Sequence, residues 1–142
     1  MSASNISIDK LIVGHELPTI TREITLEDMR IYEGWPAVKN LHTDDDEARK
    51  LGLPKALARA HHYLAYATEI LCDVFGEHWV KTGKLSVSMM APVFPGDVLT
   101  ASGKIIERKE SGGGIIFNLE INVLNQKNEK AVTGTATVTV AA

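Results

Sequence analysis

The stretch Leu57–Phe75, LARAHHYLAYATEILCDVF, decides how the rest of the chain is read. It holds no glycine or proline and is rich in alanine and leucine, which lose little conformational freedom on entering a helix. Leu64, Ala67, Leu71 and Val74 recur at helical steps, and Tyr63, Ala67, Ile70 and Val74 make a second such row. Little polar face remains beyond Thr68, Glu69, Cys72 and Asp73, which predicts a helix buried on most sides by a sheet. At about 1.5 Å per residue it would run roughly 28 Å, enough to span a small domain. It begins among Arg59, His61 and His62 and ends at Gly76, a suitable C-cap. A helix start presents unpaired amides and about half a positive charge, so amides near Ala60, His61 and His62 could hold an oxyanion.

On the N-terminal side, residues from Met1 to about Ile8 are small and polar and are expected to fray. Asp9 to Pro18 reads as extended, and Ile20 to Ile24 as a short strand. Thr25 is an N-cap with Asp28 at the third helical position, a capping-box variant, and that helix should end at Tyr32 or Glu33, before Gly34 and Pro36. Thr43 or Asp44 can cap a second short helix through Lys50, with Asp45, Asp46 and Glu47 favouring its positive end. These aspartates read as caps and not as a metal site, because successive positions do not share a helix face.

On the C-terminal side, Glu77 to Thr82 is a connector containing Trp79. Lys84 to Ala91, Asp97 to Arg108, Ile115 to Asn125 and a last run through Val132 to Val140 read as strands. In the third, Phe117, Leu119, Ile121 and Val123 alternate with polar residues, as in a sheet with one wet face. Ser111 to Gly114 is a hairpin turn; with no helix after it, the glycines have no claim to a phosphate loop. Small helices, one long helix, then successive antiparallel strands is α+β order. Strands of about 11 residues reach some 36 Å, long enough to curl around the helix. The expected architecture is a hotdog, an antiparallel sheet wrapped around a long central helix.

A chain of 142 residues with a formal charge of −3 and no Lys/Arg run is expected to be one domain, 1–142, with no nucleic-acid partner. Its most apolar long run, Tyr63 to Phe75, is broken by Glu69 and Asp73, so no membrane span is expected. The N-terminus lacks a signal-peptide core, and a lone Cys72 precludes an intrachain disulfide; both make the cytoplasm the expected location.

Four segments carry a resemblance: NLHTDDDEARKLGLP from Asn40, ALARAHHYLAY from Ala56, LSVSMMAPVFPGDVLTASGKI from Leu85 and TGTATVTV from Thr133. Together they resemble the MaoC-like acyl dehydratase family, which includes the (R)-specific enoyl-CoA hydratases of fatty acid metabolism. The resemblance implies a hotdog that forms homodimers or higher homo-oligomers and binds acyl thioesters of CoA or carrier protein, with no cofactor beyond the CoA thioester substrate. The acyl chain would enter a tunnel at the dimer interface, its carbonyl facing the start of the central helix. Active hydratases of this family hold water between an Asp and a His five residues later. His42 stands at the family's His, but Ala37 stands where the Asp would be, and His62 stands where the family usually has Gly.

Adding water across a conjugated thioester needs a base for the water, a proton for C2 and donors for the enolate oxygen. His42 can serve a proton step at neutral pH. Asn40 can orient water or His42, and Glu33 is the nearest upstream carboxylate to replace the absent Asp. The expected catalytic residues are therefore His42, Asn40 and Glu33, and the expected substrate-binding residues Ala60, His61, His62, Tyr63 and Trp35. The first functional reading is an acyl-thioester hydratase or dehydratase with an altered site. The alternatives are a non-catalytic acyl-thioester-binding hotdog and a thioesterase.

Overall fold

A computed structural model describes residues 7–141; the predicted fraying of the first residues therefore falls, from Met1 to Ile6, outside the described residues. Ile8–Lys10 form a single 3-10 turn inside the segment expected to be extended or frayed. The chain then runs through β1 (Ile20–Glu23), α1 (Leu26–Glu33), α2 (Asp45–Lys50), α3 (Ala60–Phe75), α4 (Glu77–Thr82), β2 (Lys84–Met89), β3 (Val98–Ser111), β4 (Gly114–Leu124) and β5 (Lys130–Val140). The strands form one sheet in the order β1-β3-β4-β5-β2, every neighbour antiparallel. This is the predicted α+β hotdog arrangement.

The caps follow the sequence closely. Thr25 accepts from the Asp28 amide and Asp28 from the Thr25 amide, closing the capping box of α1. Asp44, not Thr43, caps α2 by accepting from the Glu47 amide at 2.9 Å. Asp45 accepts from the Ala56 amide at 2.8 Å, and Asp46 pairs with Arg49. Each of the three aspartates thus has a structural partner.

Two local expectations give way. Glu77–Thr82 is a helix rather than a connector, set off by Gly76 at φ 54°, a backbone conformation that disfavours any side chain. The central helix starts at Ala60 and not at Leu57. Leu57 and Ala58 have helical composition, but their amides bind the carbonyls of Leu41 and Val93 at 3.0 and 2.8 Å, and those tertiary hydrogen bonds override propensity.

α3 lies against the inner face of the sheet. Tyr63, Ala67, Ile70, Leu71 and Phe75 are buried among Leu99, Ile105, Phe117, Leu119 and Ile121. Phe75 meets Phe117 with ring centroids 5.7 Å apart. The opposite stripe, His61, Ala65 and Asp73, is exposed, and Cys72 is half-buried. Only these three exposed positions occur among its sixteen residues, so the helix is covered on most of its surface, as its two apolar rows predict. The sheet's outer face is wet: Thr133 and Thr137 donate to Asn122 and Asn118 across the strands at 2.8 and 2.6 Å.

At Gly134 the β5 backbone passes so close to β2 that a Cβ there would lie 2.1 Å from the Ser86 carbonyl oxygen. That approach seats β2 at the sheet edge, where its far end, Met89, comes level with the start of α3.

Candidate active site

The loop before α2 is held by its own side chains. The buried Thr43 hydroxyl accepts from the Asn40 amide at 2.9 Å and donates to the Val38 carbonyl at 2.7 Å. Asn40 Oδ1 accepts the His42 amide at 2.8 Å, and Arg30 of α1 donates through Nε to the Thr43 carbonyl at 2.9 Å. His42 is thereby fixed at a short turn between α1 and α2.

His42 Nδ1 lies 2.7 Å from the Leu57 carbonyl oxygen. A carbonyl only accepts, so Nδ1 carries a proton, and in the neutral tautomer of the ring Nε2 is the nitrogen with the lone pair. The segment through Leu57 and Ala58 thus binds the His42 loop on one side and the A-P-V-F-P-G-D turn on the other, through the Val93 carbonyl. Asp97 braces that turn by accepting from the Phe94 amide at 2.9 Å and from Gln126 Nε2 at 2.9 Å.

These elements line an open pocket of about 440 Å³, with His42, Leu57, Ala58, Ala60 and Tyr63 on one wall and Met89 to Pro92 on the other. Its lining is mostly apolar, with His42 and Tyr63 as the polar side chains. Burial raises the Tyr63 phenol above its ordinary pKa, so it stays a neutral donor at physiological pH. Ala60 opens α3, and no side chain caps that helix: Arg59 occupies the N-cap without binding its amides. The His62 amide closes back on the Arg59 carbonyl, while the Ala60 and His61 amides, first in the helix, have no intrahelical acceptor.

Glu33, the last residue of α1, has only 11% of its side chain exposed, and both carboxylate oxygens take the Arg59 guanidinium, Oε2 at 3.0 Å from Nη2. The hydrogen bond from Arg59 holds the Glu33 carboxyl below the usual glutamate range. Burial opposes this, while the Arg59 charge reinforces it.

The structure therefore puts His42, Ala60 and Tyr63 on the pocket wall, ties Asn40 to the His42 amide, and pairs Glu33 with Arg59 at the start of α3, so that neither Asn40 nor Glu33 lines the pocket itself. It does not bring the other three expected residues there. His61 is exposed on the outer stripe of α3. His62 stacks on Tyr32, centroids 4.7 Å apart and planes 3° from parallel, with Tyr66 edge-on at 6.0 Å. Its imidazole packs α3 against α1, and burial lowers its pKa. Trp35 is 91% exposed. Ala37 brings no carboxylate to the site. The sequence reading did not assign Arg59, the Leu57 carbonyl or the methionine wall. Their roles depend on chain segments meeting across 26 residues or more of separation for Arg59, and no local pattern signals that.

The family model for the MaoC like domain matches residues 12–139. The chain belongs to the MaoC-like family. Comparison with curated proteins by sequence finds no match. Among solved structures, the MaoC-like dehydratase from Rhodospirillum rubrum is 20% identical, with a TM-score of 0.78 over 96% of this chain and 97% of that one. An unliganded (R)-hydratase from Pseudomonas aeruginosa is also 20% identical, at 0.79 over 96% and 86%. An (R)-hydratase from A. caviae involved in PHA biosynthesis is 20% identical, at 0.69 over 94% and 98%. At such identities the structural likeness is one of fold. Membership of the MaoC-like family supports a hydratase or dehydratase kind of function. No helix among the described residues is long and apolar enough to cross a membrane.

Proposed function

We propose that this MaoC-like protein adds water to, or removes it from, a 2-enoyl thioester of CoA or carrier protein. The observation that carries the reading is His42, on the wall of an apolar pocket at the start of α3, with Nδ1 committed to the Leu57 carbonyl; in the neutral ring this makes Nε2 the base. In hydration, Nε2 takes a proton from water as its oxygen bonds to C3. The electron pair of the C2–C3 double bond moves to C2 and the thioester oxygen, and a proton returned to C2 completes the addition. The Ala60 and His61 amides and the positive end of α3 stabilise the enolate oxygen. In this reading Glu33 and Asn40 orient His42 in place of the family's Asp, whose position the resemblance assigns to Ala37.

The test is to incubate the protein with short enoyl- and 3-hydroxyacyl-CoAs, following alkene absorbance and free thiol together. Alkene change without thiol release, lost in His42→Ala, is the expected result. Thiol release would make the protein a thioesterase. Ala37 favours a second reading, a non-catalytic acyl-thioester-binding hotdog, for which binding without turnover is the expected outcome.

The partner in this reading is a second copy of the chain. β2 is paired only with β5, so one edge is free for another strand, and it ends at Met89; Met89 and the following Met90 are 42% and 60% exposed beside the pocket. Sedimentation at micromolar concentration should give a dimer or higher oligomer; a monomer would remove the shared tunnel. A cytoplasmic location belongs to the same reading, supported by the lone Cys72.

A further inference from the structure

Arg59 sits where local rules disfavour it. The N-cap of a helix prefers a short side chain that accepts from the first amides, and a cation there opposes the helix dipole. Arg59 does neither favourable thing for α3; its guanidinium turns away to Glu33 on α1. With 45% of the arginine side chain exposed, such a pair adds little to stability. A local preference broken beside a candidate site points to a role in that site.

We infer that Arg59 is a positioning residue that holds Glu33 as a fixed carboxylate behind His42, so that Glu33 orients and His42 alone carries protons. This rests on the hydratase reading and deepens it. The fork uses one lone-pair direction on each Glu33 oxygen and leaves the others open to further donors. A bare carboxylate at this helix start would also repel the developing enolate oxygen. Arg59 cancels that charge without removing the acceptor atoms.

The experiment is a titration of the Glu33 carboxyl by carbon-13 NMR in the full chain, with kinetics on the same proteins. In the unaltered protein the midpoint should fall below the ordinary glutamate value, and Arg59→Met should move it up. Arg59→Lys, a point charge without the fork, should fall between them. In turnover, Arg59→Met should lower kcat by about tenfold to a hundredfold with KM little changed, and Arg59→Lys should recover part of the loss. An unchanged Glu33 midpoint in Arg59→Met, or unchanged kcat, overturns the inference. If Arg59→Met does not fold, Arg59→Lys decides: a midpoint equal to that of the unaltered protein overturns it. If the unaltered protein turns over no thioester, the hydratase reading has failed, and the clamp on Glu33 stands or falls on the titration.

Discussion

At its C-terminal end α3 is closed, with Phe75 fully buried against Phe117 and the Gly76 amide returned to the Cys72 carbonyl at 2.8 Å. At its N-terminal end it is open, with no capping side chain, its first amides free of intrahelical acceptors, and an arginine committed to another helix. The C-terminal end satisfies its backbone and contributes burial; the N-terminal end leaves donors unused beside a cavity. Stability and the proposed chemistry are thus placed about four turns apart on one rigid element. A change at one end should leave the property of the other almost untouched.

The largest expected effect breaks that comparison at the open end. His42→Ala should lower turnover by roughly a hundredfold to ten-thousandfold, the range for loss of a general base. Its stability cost should be only about 0.5–1.5 kcal/mol, since it removes the hydrogen bond to the Leu57 carbonyl. Turnover and urea denaturation on one preparation separate the two. At the closed end, Phe75→Ala should cost about 3–5 kcal/mol through the cavity it leaves, while the remaining folded molecules keep their turnover. A comparable loss of turnover per folded molecule would mean that the two ends are coupled.

Glu33→Gln sharpens the comparison within the open end. It keeps a hydrogen-bonding amide beside Arg59 but removes the negative charge, and should reduce turnover about a hundredfold. Folding should survive, and the Glu33 contribution also has a pH signature. Because the folded carboxyl titrates below the unfolded one, its stabilisation is present above the ordinary glutamate range and is lost as pH falls through the lowered folded value. Glu33→Gln should abolish that part of the acid dependence in thermal melts.

The smallest effect belongs to His62. Its pKa is lowered by burial, with Asp28 opposing, so the unfolded chain takes up its proton first, near 6.5. Stability should therefore decline as pH falls from about 6.5 toward the lower folded value. His62→Phe, which keeps an aromatic ring against Tyr32, should flatten that decline and leave turnover unchanged. A loss of turnover would return His62 to the site from which the geometry removes it.

What the sequence determined by itself was local and periodic. The Thr25 capping box, the Asp44 cap, the Gly76 stop and the alternation along β4 depend on neighbours a few residues apart, and each is found in the structure. The motif around His42 also singled out a residue that lines a pocket at the start of α3. Tertiary structure decided where local preference and long-range hydrogen bonds disagreed. Leu57 and Ala58 are held extended by Leu41 and Val93 despite their helical composition. His62 turns its ring to Tyr32 rather than to the cavity, and Arg59 reaches Glu33 instead of remaining one of a row of polar residues. The physical reason is that a partner across the fold can satisfy a carbonyl, a ring face or a charge that near neighbours leave unpaired. Which partner that is depends on how α1 and α3 meet, and no spacing within either segment encodes it.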